Sequence, residues 1–266
     1  MTEIIDFLSK NSLELLSYIN DANKRIFWLY LVSSIVLAFV VYFFQSRKKD
    51  INQVPHGGLK VKQKPKGLVN FLTFVFPKKI YTNKSAQHDY FLLITNKLIK
   101  AALFPIVILT MAPIALSISS GLEFVFGERE FIQLSAINIM IIFTALLFLF
   151  DDFSRFFLHY LLHRFSFLWE FHKVHHSAKV LTPFTIYRSH PVENYLYACR
   201  MALTQGAAVG IGYYLFGPTL KMIDILGANA FVFLFNIMGS NLRHSHIWLS
   251  WGNKMESWLI SPAQHQ

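Results

Sequence analysis

Residues 131–164 read FIQLSAINIMIIFTALLFLFDDFSRFFLHYLLHR, and the way this stretch changes along its length decides the fold. From Phe131 to Phe150 it contains no Asp, Glu, Lys or Arg. A helix needs roughly 20 apolar residues to cross a hydrocarbon core, and this window supplies them. Asp151, Asp152, Arg155, His159, His163 and Arg164 then follow. The reading is a membrane helix that extends beyond the bilayer surface. His159 and His163, four residues apart, share one helical face there.

Working outward, the windows 26–44, 101–122, 201–220 and 225–242 are equally free of charge. The 266-residue chain is 54% hydrophobic, with a mean hydropathy of +0.40, too apolar for an ordinary soluble fold. The expected fold class is all-α: an integral membrane bundle of about four to five transmembrane helices. The window 26–44 is not a cleaved signal peptide, because it starts late and is followed by Gln45, Ser46 and Arg47 rather than small residues. The one cysteine, Cys199, excludes a disulfide framework and a cysteine metal site.

The net charge of +10 is unevenly spread. Twelve of the 25 basic residues lie in 45–100, where the acids are Asp50 and Asp89. A basic segment flanked by spans reads as cytoplasmic and as attracted to anionic lipid, not as a nucleic-acid site. Glu3, Asp6, Glu14 and Asp21 precede the first span, and Glu123, Glu128 and Glu130 follow the second, so both stretches read as outside. The segments 151–194 and 243–266 then fall on the cytoplasmic side. Four divisions result: an interfacial helix in 1–25, with Ile4, Ile5, Leu8, Leu15, Leu16 and Ile19 at helical spacing; a first span at 26–44; a basic membrane-surface segment at 45–100; and a catalytic region at 101–266.

Nine of the 11 histidines come after residue 150. His159 and His163 form HxxxH, and "FHKVHH" places His172, His175 and His176 at i, i+3 and i+4, again on one helical face. His244 and His246 occur in "NLRHSH", and His265 in "SPAQHQ". A single histidine is ordinarily a surface or satisfied core residue, and His56 and His88 read that way. The eight histidines of these boxes exceed what one ion can bind, so two metals are expected. Imidazole without thiolate suits Fe, Zn, Cu or Ni. Asp152, two turns before His159, is positioned to take the second N–H of a ligating ring. His190, in "RSHPVE", can be a ligand, a substrate contact or the anchor of the turn before Pro191. Arg188 and Glu193 can form an ion pair, and Trp169 and Tyr187 read as interface anchors.

"DFSRFFLHYLLHR", "WEFHKVHHS", "RSHPVE" and "NLRHSH" resemble segments of the integral-membrane fatty acid hydroxylase/sterol desaturase superfamily, over about residue 150 to the end. The resemblance implies a histidine-ligated dinuclear iron centre (zinc as a possible substitute), with O2 as co-substrate. It also implies a lipid, fatty acyl or sterol-like substrate that is hydroxylated or desaturated. Electrons would come from a ferredoxin or a cytochrome b5 with its reductase. The superfamily's last HxxHH box would begin at His265, so a chain continuing beyond Gln266 is expected. An unactivated C–H bond yields to no amino-acid side chain, so the oxidant must come from a cofactor. The competing classes are a metal transporter, which should place its histidines at mid-depth within the spans, a metal-dependent enzyme of another type, and a histidine-rich structural or sensory membrane protein.

Overall fold

The computed structural model describes residues 2–47, 68–107, 109–257 and 261–265. His56 and much of the basic run before residue 68 lie outside them. The described chain is mostly helical: α1 (Thr2–Ser17), α2 (Trp28–Arg47), α3 (Leu68–Val75), α4 (Lys78–Tyr81), α5 (Lys84–Val107), α6 (Met111–Phe126), α7 (Ala136–Arg164), α8 (Ser166–His176), α9 (Pro191–Phe216), α10 (Ala230–Ile237), α11 (Asn253–Glu256) and α12 (Pro262–His265). Strands β1 (Asp224–Ile225) and β2 (Ala228–Asn229) pair antiparallel. Among the described residues, two helices are long and apolar enough to cross a membrane, with windows Trp28–Gln45 and Ala136–Arg164. The outward side chains of α7 are apolar for most of its length: Ile137, Ile141, Ile142, Leu149, Phe153 and Phe156 are all exposed. A surface so continuously apolar suits lipid rather than water.

Two of the other uncharged windows are divided, while most of 201–220 lies in α9. Window 101–122 is shared between the end of α5 and α6, which starts after an extended Thr110. Window 225–242 holds the β1–β2 turn, the eight-residue α10 and a 3-10 turn at Ser240–His244. Eight residues of helix rise about 12 Å, well short of a ~30 Å hydrocarbon core. Leu226 and Gly227, both with positive φ, turn the chain at the start of this window, and the left-handed Gly239 stops α10.

The chain forms two compact units. The first comprises Met1–Asn11, Asn96–His176 and Ser189–Leu234. Within it α9 packs along α6 at very short range. A Cβ on Gly206 would lie 2.7 Å from Ile114 Cβ, and one on Gly210 would lie 2.5 Å from the Ala115 carbonyl oxygen. Small residues are what allow such an approach between apolar helices. α9 also packs on α7. Arg200 of α9 donates to Asp151 Oδ1 at 2.9 Å and to Ser154 Oγ at 2.6 Å, and Arg155 donates to Asp151 Oδ2 at 2.6 Å. This knot fixes the polar end of α7 one to two turns before His159. Lower on α7, the buried Thr144 accepts from the Ile223 amide at 2.8 Å, and its carbonyl accepts from Asn229 at 3.1 Å.

The second unit comprises Ser12–Thr95, Ser177–Arg188 and Phe235–Gln266. Ala38 of α2, Phe71 and Val75 of α3, Leu242 and Ile247 form its buried apolar cluster. Arg25 donates to Asn236 Oδ1 and Ser240 Oγ, both at 2.5 Å. Asp89, fully buried on α5, accepts from Arg188 Nε at 2.5 Å and from Thr185 Oγ1 at 2.7 Å. Arg188 is held by Asp89, Ser85 and Ser177, and Glu193 is bonded to His172.

Candidate metal centre

α7 and α8 are joined by one extended residue, Phe165 (φ −102, ψ 121), whose amide still donates to the Leu161 carbonyl at 3.0 Å. One extended residue between helices reverses the direction abruptly, so α8 folds back on the end of α7. The HxxxH of α7 and the HxxHH of α8 then face each other. His159, His163, His172 and His176 come together, with one ring nitrogen from each inside a group spanning no more than 4.8 Å. His172 is buried at 1% exposure, His159 is half-buried, and His163 and His176 are exposed.

The nitrogen spacings carry the chemistry. His176 Nε2 lies 3.2 Å from His163 Nε2 and 3.1 Å from His172 Nε2. A ring nitrogen has a single in-plane position, filled by either a proton or a lone pair. One of these contacts can be an N–H···N bond, and the second then sets like against like. A cation between the nitrogens relieves both. Ligand nitrogens 2.0–2.1 Å from a tetrahedral ion lie about 3.4 Å apart, close to the observed spacing. The donor set therefore fits a metal. Burial first, and the neighbouring imidazoles of His172, His175 and His163 next, push the His176 pKa down to about 4. At neutral pH it is an uncharged ring, the form that ligates.

Trp169, on the same face of α8, places its ring 5.3 Å from that of His163 and 5.4 Å from that of His176. A 360 Å³ depression beside the rings is lined by His163, Arg164, Ser166 and Trp169. His175 stacks on His172 with ring centroids 5.7 Å apart but does not contribute to the four-nitrogen group. His190 caps α9, its Nδ1 accepting from the Val192 amide at 3.2 Å, with Pro191 as the first helical residue. That geometry is the turn-anchoring role, and it engages Nδ1 only.

Asp152 is exposed on α7. A carboxylate bonded to a ring of the cluster is Glu193, whose Oε1 lies 2.9 Å from His172 Nδ1. Sequence reading missed this role, although "SHPVE" places Glu193 in the first turn of a Pro-started helix, where an acid is favoured. Trp169, three residues before His172, reads from sequence as an interface anchor. His244 and His246 belong to the second unit. His244 is buried at the end of the 3-10 turn, and His246 Nε2 donates to the Phe74 carbonyl at 2.6 Å. His265 ends α12 in the same unit.

Comparison with known proteins completes the picture. Residues 144–266 match the fatty acid hydroxylase family. The matched segment begins at Thr144 and includes the whole four-histidine group. It implies an oxidoreductase that acts on lipid in a membrane setting. No curated protein and no solved structure matches the chain.

Proposed function

We propose that the protein is a multi-pass membrane enzyme that oxidises a lipid or fatty acyl chain with O2, by hydroxylation in preference to desaturation. The observation that carries this reading is the convergence of three Nε2 atoms at 3.1 and 3.2 Å from the paired helices of a fatty acid hydroxylase segment. His159, His163, His172 and His176 would hold iron, and His175, His244, His246 and His265 are proposed as further metal ligands. The iron would supply O2 activation and one-electron chemistry, with electrons from a ferredoxin or from cytochrome b5 and its reductase. The chain's own residues bind and orient. α7 presents His159 and His163 beyond its apolar run, so an acyl chain lying in the bilayer can reach the site laterally. Asp152, two turns before His159, is assigned to orienting that ring. His190 acts through the cap that sets the first turn of α9.

Lipid mass spectrometry of cells with and without the gene tests the reading. The expected product is heavier than its precursor by one oxygen atom, or lighter by two hydrogens if the reaction is desaturation. Its formation should require O2 and a reductant. A lipid profile unchanged by the gene, or a product formed equally without O2, would sink oxygenase chemistry and favour a metal-transport or non-enzymatic role.

A further inference from the structure

Glu193 and His172 are each almost wholly enclosed, with side-chain exposures of 5% and 1%, and their bond of 2.9 Å is made inside the unit. Oε2 of Glu193 is also buried and has no hydrogen-bond partner among the described residues. A buried carboxylate with one oxygen unsatisfied is an expensive way to join two helices, because an apolar contact would do so without the desolvation cost. The carboxylate accepts only, so Nδ1 of His172 must hold the proton. In the neutral ring Nε2 then carries the lone pair, and that nitrogen is the one 3.1 Å from His176 Nε2. Glu193 stands in the first turn of α9, behind Pro191 and the His190 cap.

We infer that Glu193 is the positioning residue of the histidine group: it fixes His172 as the Nδ1–H tautomer, so that the Nε2 lone pair faces the other imidazoles. Its negative charge also strengthens that ring as a donor to a cation. Without the carboxylate the proton is free to move to Nε2, where it points at His176 and closes the position to a metal. The inference rests on the proposal that the four histidines hold a metal, and the test separates the two.

Wild-type protein, Glu193→Gln and Glu193→Ala are titrated with Co2+ alone, with affinity read by chelator competition. The His172 tautomer is read in the metal-free proteins from 15N chemical shifts of labelled histidine. The wild type is expected to show Nδ1–H at His172. Glu193→Ala should shift it toward Nε2–H and weaken Co2+ binding by roughly 10–100-fold. Glu193→Gln, whose amide oxygen can still accept from Nδ1, should keep the tautomer and bind with intermediate affinity. A wild-type His172 protonated at Nε2 overturns the inference, and this reading stands even if Glu193→Ala does not fold. Unchanged Co2+ affinity in a folded Glu193→Ala overturns it too and leaves Glu193 as a helix tie. A wild type that shows the Nδ1–H tautomer but binds no Co2+ overturns the metal-centre proposal while leaving the positioning of His172 intact.

Discussion

At the scale of residues, His176 is the atom-level hinge of the site. Its Nε2 is the nitrogen common to both short contacts, and its depressed pKa keeps it a neutral donor. If these rings serve one centre, they act as a unit. His172→Ala and His176→Ala should each remove most bound metal and nearly abolish lipid oxidation, and the double variant should cost little more, because ligands of one centre are non-additive. Metal content by elemental analysis and turnover in the native bilayer measure this. His88→Ala, on the exposed side of α5, should stay within a few-fold of wild type. Multiplicative losses in the double variant would mean the rings serve separate purposes. The four clustered histidines were legible because a 3.6-residue period is a local property: HxxxH and HxxHH put their rings on one face wherever the helix goes. Glu193 was not legible as their partner. Its bond spans 21 positions in sequence, and nothing local distinguishes it from an acid favoured at a helix start.

At the scale of elements, the polar end of α7 is held in place by how closely α9 can approach its neighbours. Gly210→Ala would drive a methyl to 2.5 Å from the Ala115 carbonyl, a backbone atom that cannot swing aside. We expect a loss of about 1–3 kcal/mol as α6 and α9 are forced apart, seen as a lower thermal midpoint in detergent. Thr144→Val keeps the shape but leaves the Ile223 amide without its acceptor, and should cost about 1–3 kcal/mol by the same measurement. Unchanged midpoints in both would show that these contacts do not hold α9 and the β turn in register. This scale is also where charge counting fell short. The window 225–242 contains no charge, so it read as a span. Its backbone is instead set by Gly227, whose amide donates to Asp224 Oδ1 at 2.9 Å, and by Asn229, whose side chain accepts from the Phe231 amide at 3.0 Å to start α10. Asx turns and positive-φ glycines break helices without altering hydropathy, and a window average does not register them. The long runs in α2 and α7 were legible because nothing of that kind interrupts them.

At the scale of the whole molecule, the length of α7 bears on where the chemistry happens. Its 29 residues rise about 43 Å, roughly 13 Å more than a hydrocarbon core requires. With Ala136 at one face of the core, the opposite face is reached after about 20 residues, near Arg155. His159 and His163 therefore stand clear of it, as the cationic Arg155 and Arg164 at the same end also require. The turn before α7 has the opposite character, with Glu123, Glu128 and Glu130 against Arg129. Because Lys and Arg accumulate on the cytoplasmic side, we propose that α7 runs from outside to inside, with the histidine group in the cytoplasm. A reporter inserted near Gly127 should therefore behave as external, and one fused after Lys49, within the basic segment, as cytoplasmic. Protease protection or a pH-sensitive fluorescent tag in intact cells distinguishes the two sides. If the Gly127 reporter proves cytoplasmic, the histidines at the far end of α7 face the other compartment, and a cytoplasmic ferredoxin or cytochrome b5 has no route to them.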